Sequence, residues 1–195
     1  KSGADTAKEP LPVFAPGVRI SKGLQNVEVS VGADGKPRVL SPGVEYPDFA
    51  RTGLVVGQKL PLPANIHPRK VRANMWKVTD FDGDGRTDVI MGVGDWTDYG
   101  WDNGYDAQGV WRKGPLRGFV YWVRNEGTNE VPKYRPAQRV QASGKDLEVF
   151  GWPSPNFTDF DGDGDLDLLC GEFLDGFTYF ENIGTRTNPV SNEPI

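Results

Sequence analysis

Two runs of aspartate carry the chemistry of this sequence. The first is Asp80-Phe81-Asp82-Gly83-Asp84-Gly85-Arg86-Thr87-Asp88, and the second is Asp159-Phe160-Asp161-Gly162-Asp163-Gly164-Asp165-Leu166-Asp167. Carboxylates fall at positions 1, 3, 5 and 9 of each nine-residue run. Position 7, Arg86 or Asp165, offers a backbone carbonyl. Alternate residues of a tightly curled loop converge on one point, and glycine at positions 4 and 6 permits the curl because it takes positive φ without penalty. Four carboxylates held that close repel one another unless a cation sits among them. A hard cation wanting six to eight oxygens at about 2.3–2.6 Å suits the set, so one Ca²⁺ is expected in each loop, two in all. Mg²⁺ fits less well, because it prefers few protein ligands and several waters.

An EF-hand begins in the same way, but it requires a bidentate Glu at position 12 and flanking helices. Position 12 here is Met91 or Cys170, each within a short apolar run, Val89-Ile90-Met91 or Leu168-Leu169-Cys170. Such runs read as strands buried on both faces. The loops therefore join β-strands.

Nearly everything else also reads as strand. Val27–Val31 alternates, residues 33–36 turn, and Arg38-Val39-Leu40 returns, which is a hairpin signature. Phe119–Val123 and Phe177–Phe180 are aromatic and β-branched. The 25 glycines and 16 prolines suit many short strands and tight turns. An all-β fold in one domain over residues 1–195 is expected.

The aspartate runs repeat at an offset of 79 residues. Gly118-Phe119-Val120-Tyr121 aligns with Gly176-Phe177-Thr178-Tyr179 at an offset of 58, which leaves an insertion of 21 residues in the first copy. Asn125–Thr128 then aligns with Asn182–Thr185. A weaker match pairs Pro12–Pro16 with Pro132–Pro136, and Arg19-Ile20 with Arg139-Val140. Repeats are thus expected over about 12–128, with the insertion at 94–117, and over 132–190. Both chain ends fall inside a repeat on this alignment, as in a fragment of a larger array or in a ring closed by exchange between the ends.

The pattern Asp-Phe-Asp-Gly-Asp-Gly-x-x-Asp followed by an apolar strand resembles the FG-GAP/VCBS repeat, the calcium-binding blade of integrin α-subunit-like β-propellers and of many secreted bacterial proteins. The likeness covers Val78–Thr128 and Phe157–Thr185 well and residues 1–77 loosely. It implies β-propeller blades, an incomplete propeller or a piece of a larger one, with structural Ca²⁺ in a hairpin loop of each blade. It also implies a secreted, periplasmic or cell-surface protein. Further blades would come from the rest of the protein or from another chain.

The insertion holds Trp96, Tyr99, Trp101, Tyr105 and Trp111 among Asp95, Asp98, Asp102, Asn103 and Asp106. Flat aromatics beside carboxylates can stack on sugar rings and bond their hydroxyls, so these five are candidate glycan-binding residues; alternatively they form a local mini-core. The acidic positions also allow a third ion. His67, near Arg69, Lys70 and Arg72, is a candidate base or anion site, although no geometric partner can be assigned. No nucleophile motif, phosphate loop or His-Glu-x-x-His is present, and Glu172 and Asp175 have no special claim. Catalysis by this segment is not expected.

The net charge of −5 argues against nucleic acid. A single cysteine, Cys170, excludes an intrachain disulfide and reads as a buried, inert thiol. No apolar stretch reaches membrane-span length, and no leader pattern is legible at Lys1. The expectation is a calcium-binding extracellular module that binds a glycan or a protein partner. The alternatives are the propeller part of a polysaccharide lyase or glycoside hydrolase, and a protein–protein adhesion module.

Overall fold

The computed structural model describes residues 13–19, 21–63, 71–174 and 176–195. His67, Arg69, Lys70, Asp175, Pro12, Ile20 and the Arg72 side chain lie outside the described residues, as do the expectations placed on them.

The fold is all-β, in several antiparallel sheets, none of them closed. Among the described residues the only helix is a single turn, α1 (Phe49–Thr52), and none is long and apolar enough to cross a membrane. The first sheet runs β1 (Glu28–Val31), β2 (Pro37–Ser41), β3 (Val44–Glu45) and β4 (Gln58–Lys59). Its β1–β2 hairpin pairs Glu28 with Leu40 through Val31 with Pro37, as the alternating pattern indicated.

The second sheet is the centre of the molecule. It is a meander of β5 (Val71–Thr79), β6 (Asp88–Asp95) and β7 (Arg117–Val123). The free edge of β7 is shared: β8 (Gln138–Arg139) pairs with Tyr121 and Trp122, and β11 (Glu148–Phe150) with residues 117–119. Between them a small hairpin, β9 (Gln141–Ala142) and β10 (Lys145–Asp146), leaves the sheet. A third sheet repeats the meander with β12 (Ser154–Thr158), β13 (Asp167–Gly171) and β14 (Phe177–Phe180).

Both faces of the central sheet are buried, which is why β6 is apolar without alternation. One face packs Trp76, Val78, Val89, Met91, Val93, Phe119, Tyr121 and Val123 against Leu40 of the first sheet. The other packs Phe81, Ile90 and Val120 against Val140, Leu147 and Val149, and against Leu168, Cys170 and Phe180 of the third sheet. Close packing fixes Gly92: a Cβ there would stand 2.2 Å from the Pro153 carbonyl oxygen.

The two meanders share one register. Thr79 faces Asp88 and Thr158 faces Asp167; Met75 faces Gly92 and Ser154 faces Gly171, always 79 residues apart. The third strands correct the sequence alignment by one residue. Gly92 faces Val120 and Gly171 faces Phe177; Val89 faces Val123 and Leu168 faces Phe180. The true offset there is therefore 57 (177 minus 120), and the first copy carries 22 extra residues (79 minus 57). Paired glycines at 118 and 176 had suggested the slip, but hydrogen bonding sets the register.

A second correction concerns Arg139-Val140. Arg19 lies in no strand, and Val13 and Phe14 are exposed and unpaired in any sheet, so among the described residues strand exchange with the C-terminus is not seen. Arg38-Val39 instead stands where Arg139-Val140 stands, 101 residues earlier. Arg38 pairs with Glu45 at 2.9 Å and Arg139 with Asp146 at 2.6 Å. The Tyr46 amide donates to the Val39 carbonyl at 2.8 Å, and Leu147 to Val140 at 2.9 Å. Gly43 and Gly144 make the turns at φ 76° and 74°. Each repeat is thus a short Arg-anchored hairpin followed by an aspartate-loop meander.

Candidate metal centre

Each aspartate loop connects the first two strands of its meander, β5 to β6 and β12 to β13. Position 12 falls inside β6 or β13, so strands flank both loops and the EF-hand is excluded. Gly83 and Gly85 take φ of 66° and 81°, and Gly162 and Gly164 take 84° and 97°, which is the curl expected of them.

The same hydrogen bonds shape both loops. Gly85 N–H donates to Asp80 Oδ2 and Gly164 N–H to Asp159 Oδ2, each at 3.2 Å. Arg86 N–H donates to Asp84 Oδ1 at 2.9 Å and Asp165 N–H to Asp163 Oδ1 at 3.0 Å. Asp88 and Asp167, both buried, close the loops. Asp88 Oδ2 accepts the Phe81 N–H (3.3 Å) and the Trp122 indole (2.9 Å), and its Oδ1 accepts the Asn125 N–H (2.7 Å). Asp167 accepts from Phe160 at 3.0 Å and from Asn182 at 2.8 Å. The two asparagines in turn fold the next hairpin. Asn125 Oδ1 accepts from Gly127 and Lys133, and Asn182 Oδ1 from Gly184 and Val190.

Carboxylate oxygens of Asp80, Asp82 and Asp84 lie within 4.8 Å of one another, and so do those of Asp159, Asp161 and Asp167. Together these cover positions 1, 3, 5 and 9. Asp88 stands outside the first group and Asp163 outside the second. Buried oxygens without a hydrogen-bond donor remain on Asp80 (Oδ1), Asp82 (Oδ1) and Asp165 (Oδ1). A buried carboxylate oxygen left without a donor is costly unless something else satisfies it. Such all-oxygen groups fit a hard cation and lack the nitrogen or sulfur that Zn²⁺ prefers.

Electrostatics report the same crowding. Burial pushes the Asp88 carboxyl up to about 7, against the pull of the Asn125 amide and the Trp122 indole. Burial, and then Asp84, raise Asp82, with Arg124 opposing. Burial, and then Asp163, Asp167 and Asp161, raise Asp165.

Arginines surround the first loop; the sequence had offered Arg86 there only through its carbonyl and had not singled out Arg124 or Arg186. Arg124 Nη2 lies 2.7 Å from Asp82 Oδ2, and Arg86 pairs with Asp84. Arg186 arrives from the second repeat. It donates to the Phe81 carbonyl (3.1 Å) and the Asp80 carbonyl, and lies 3.5 Å from Asp80 Oδ2. Its backbone carbonyl packs where a Gly83 Cβ would be, at 2.8 Å. At position 7 the side chain of Arg86 or Asp165, more than its carbonyl, shapes the charge. The signal was legible as charge differences between aligned repeats.

The five insertion aromatics stack on one another. Trp96 and Trp101 lie parallel at 5.1 Å, Tyr99 and Trp111 at 4.5 Å, and Trp96–Tyr99 and Tyr105–Trp111 meet edge to face. Trp96 is buried, while Trp101 and Tyr105 are 53% and 59% exposed. Asp106 pairs with Arg112 and Asp102 with Lys113; the Val110 amide, and then Arg112, hold the Asp106 carboxyl below its ordinary value, and Lys113 does so for Asp102. Among the described residues the insertion contains no convergent carboxylate group for a third ion. A groove of about 660 Å³ opens instead beside the first loop, lined by Trp122, Arg124, Gln138, Arg139, Asp146 and Asn188 among others.

No protein-family model, curated protein or solved structure matches this chain.

Proposed function

We propose that this protein is a calcium-stabilised extracellular binding module whose three sheets are consecutive β-propeller blades of the FG-GAP/VCBS type. The observation that carries the metal reading is the convergence of three carboxylates in each of two loops built by the same hydrogen bonds. Asp80, Asp82, Asp84, Asp159, Asp161 and Asp167 would hold the ions, with Asp165 adding a buried oxygen. An ion there neutralises the cluster and fixes the loop that joins two strands, so its binding energy becomes folding energy. Extracellular modules hold Ca²⁺ with dissociation constants of about 10⁻⁴–10⁻³ M, so a structural role suits a calcium-rich exterior.

The blade reading is supported by the stacking of sheets and by one uncovered face. Leu169, Phe177 and Phe160 stand in the third sheet where Ile90, Val120 and Phe81 stand in the central one. The central trio is buried under the third sheet, whereas Phe177 is 74% exposed. A further blade would cover that face as the third sheet covers the central one.

Thermal unfolding with chelator and with Ca²⁺ tests the metal reading. At 100 times the dissociation constant, one site stabilises by about 2.7 kcal/mol, a rise of several degrees for a chain of this size. An unchanged midpoint defeats it.

A second reading concerns the partner. Trp101 and Tyr105 present more than half their surface on a pre-stacked aromatic base, a geometry suited to sugar rings. Titration of intrinsic fluorescence with neutral and acidic oligosaccharides tests it; no change, with Trp101→Ala indistinguishable, removes the glycan.

A further inference from the structure

We propose that the two aspartate loops are unequal cation sites: the second is the tighter, and at the first Arg124 occupies the place an entering cation must take. This inference rests on the metal reading above and adds an order of filling.

The superposed repeats place opposite charges at two equivalent positions. Arg86 corresponds to Asp165 at the offset of 79, and Arg124 to Glu181 at the offset of 57. Around the first loop, Asp80, Asp82, Asp84 and Asp88 face Arg86, Arg124 and Arg186, a net formal charge of −1. Around the second, Asp159, Asp161, Asp163, Asp165 and Asp167 stand with Glu181, a net of −6.

Side-chain pairing follows the charges. Arg124 lies 2.7 Å from Asp82 and 3.4 Å from Asp84, bridging two of the three convergent carboxylates. Arg86 and Arg186 take Asp84 and Asp80. Among the described residues no Lys or Arg pairs with any carboxylate of the second loop. Asp165 is only 6% exposed, and its buried Oδ1 has no donor, so an unpaired carboxylate oxygen sits in that loop waiting for a positive partner.

At the first loop a cation has to displace Arg124 from Asp82 and Asp84, which lowers its affinity. Arg124 is anchored lightly enough to leave: its side chain is 43% exposed and lines the 660 Å³ groove. Filling the first loop would turn a paired guanidinium into a free one on the groove wall. Like-charge neighbours at this range shift cation affinity by about tenfold after solvent screening.

Calcium titration calorimetry on chelator-stripped full-length protein tests the order, using wild type, Asp161→Asn and Arg124→Gln. The expected result for wild type is two dissociation constants at least about tenfold apart. Asp161→Asn should abolish the tighter one. Arg124→Gln should leave the tighter one unchanged and strengthen the weaker by about tenfold, with the gain shrinking at high salt. Loss of the weaker site in Asp161→Asn, or an unchanged weaker constant in Arg124→Gln, overturns the inference while leaving calcium binding intact. No binding by either loop overturns the metal reading itself. Should circular dichroism show Arg124→Gln to be unfolded, Arg86→Gln takes its place with the same expected outcomes.

Discussion

The Asn182 amide donates to Asp167 Oδ1 at 2.8 Å, and through that bond the second aspartate loop is tied to the hairpin that follows its meander. Asp167 is almost fully buried and also accepts from Phe160. Replacing it with Ala leaves the buried Asn182 amide and the part-buried Phe160 amide without acceptors. Each such loss costs about 1–3 kcal/mol. Urea unfolding of Asp167→Ala in chelator should show a loss of about 2–4 kcal/mol, before any ion is considered. The same experiment on Asp88→Ala should show at least as large a loss, since it frees the Trp122 indole as well as the Phe81 and Asn125 amides.

Gly92 and Gly23 make a matched pair. A Cβ on Gly92 meets the Pro153 carbonyl, in the connection into the third sheet, and the Pro155 ring, in β12 of that sheet, whereas one on Gly23 meets nothing within 4 Å. Gly92→Ala should therefore lose about 1–3 kcal/mol, and Gly23→Ala should stay within about 0.5 kcal/mol of wild type. Equal midpoints in denaturant for the two variants would contradict the packing of the central on the third sheet.

Cys170 is fully buried in the core between those sheets. Burial, reinforced by Glu172, pushes its thiol from an ordinary 9.0 up to about 12. The folded state thus holds this proton more tightly than the unfolded chain. Its contribution is complete below about pH 9 and is lost as pH rises toward 12. Folded protein at pH 8 should resist a thiol-reactive dye that labels it fully in urea. Rapid labelling of the folded protein would show an open core.

Much of this arrangement was legible in the residues. Apolar runs after each aspartate loop gave strands buried on both faces, and the loops' glycines gave the curl. What misled was weak local likeness. The Gly118 and Gly176 pairs aligned by identity, but ladder hydrogen bonds choose Val120 opposite Gly92 and Phe177 opposite Gly171. Arg19-Ile20 matched a two-residue pattern that many segments share, while the true counterpart, Arg38-Val39, is defined by a partner seven residues on, Glu45. A mini-core of the insertion aromatics was one of two readings left open, but which rings stack could not be read, because their spacing follows neither strand nor helix period.

The insertion offers its own check. Trp111 stacks on Tyr99 and meets Tyr105, and its indole donates to the Gly114 carbonyl at 3.2 Å. Aromatic pairs of this kind contribute about 0.5–1.5 kcal/mol each beyond their buried area. Trp111→Ala should speed proteolysis within residues 94–117 severalfold while lowering the global melting temperature by no more than about 4 °C. Unchanged proteolysis would mean that the rings do not hold the insertion.

The central claim is that cations sit inside the aspartate loops. Its most direct test is a crystal grown with Ca²⁺ and measured for anomalous scattering. The account predicts a peak among Asp159, Asp161 and Asp167, with carboxylate oxygens at about 2.3–2.6 Å, and a weaker peak among Asp80, Asp82 and Asp84. Loops with no peak at either place, at millimolar Ca²⁺, would contradict it.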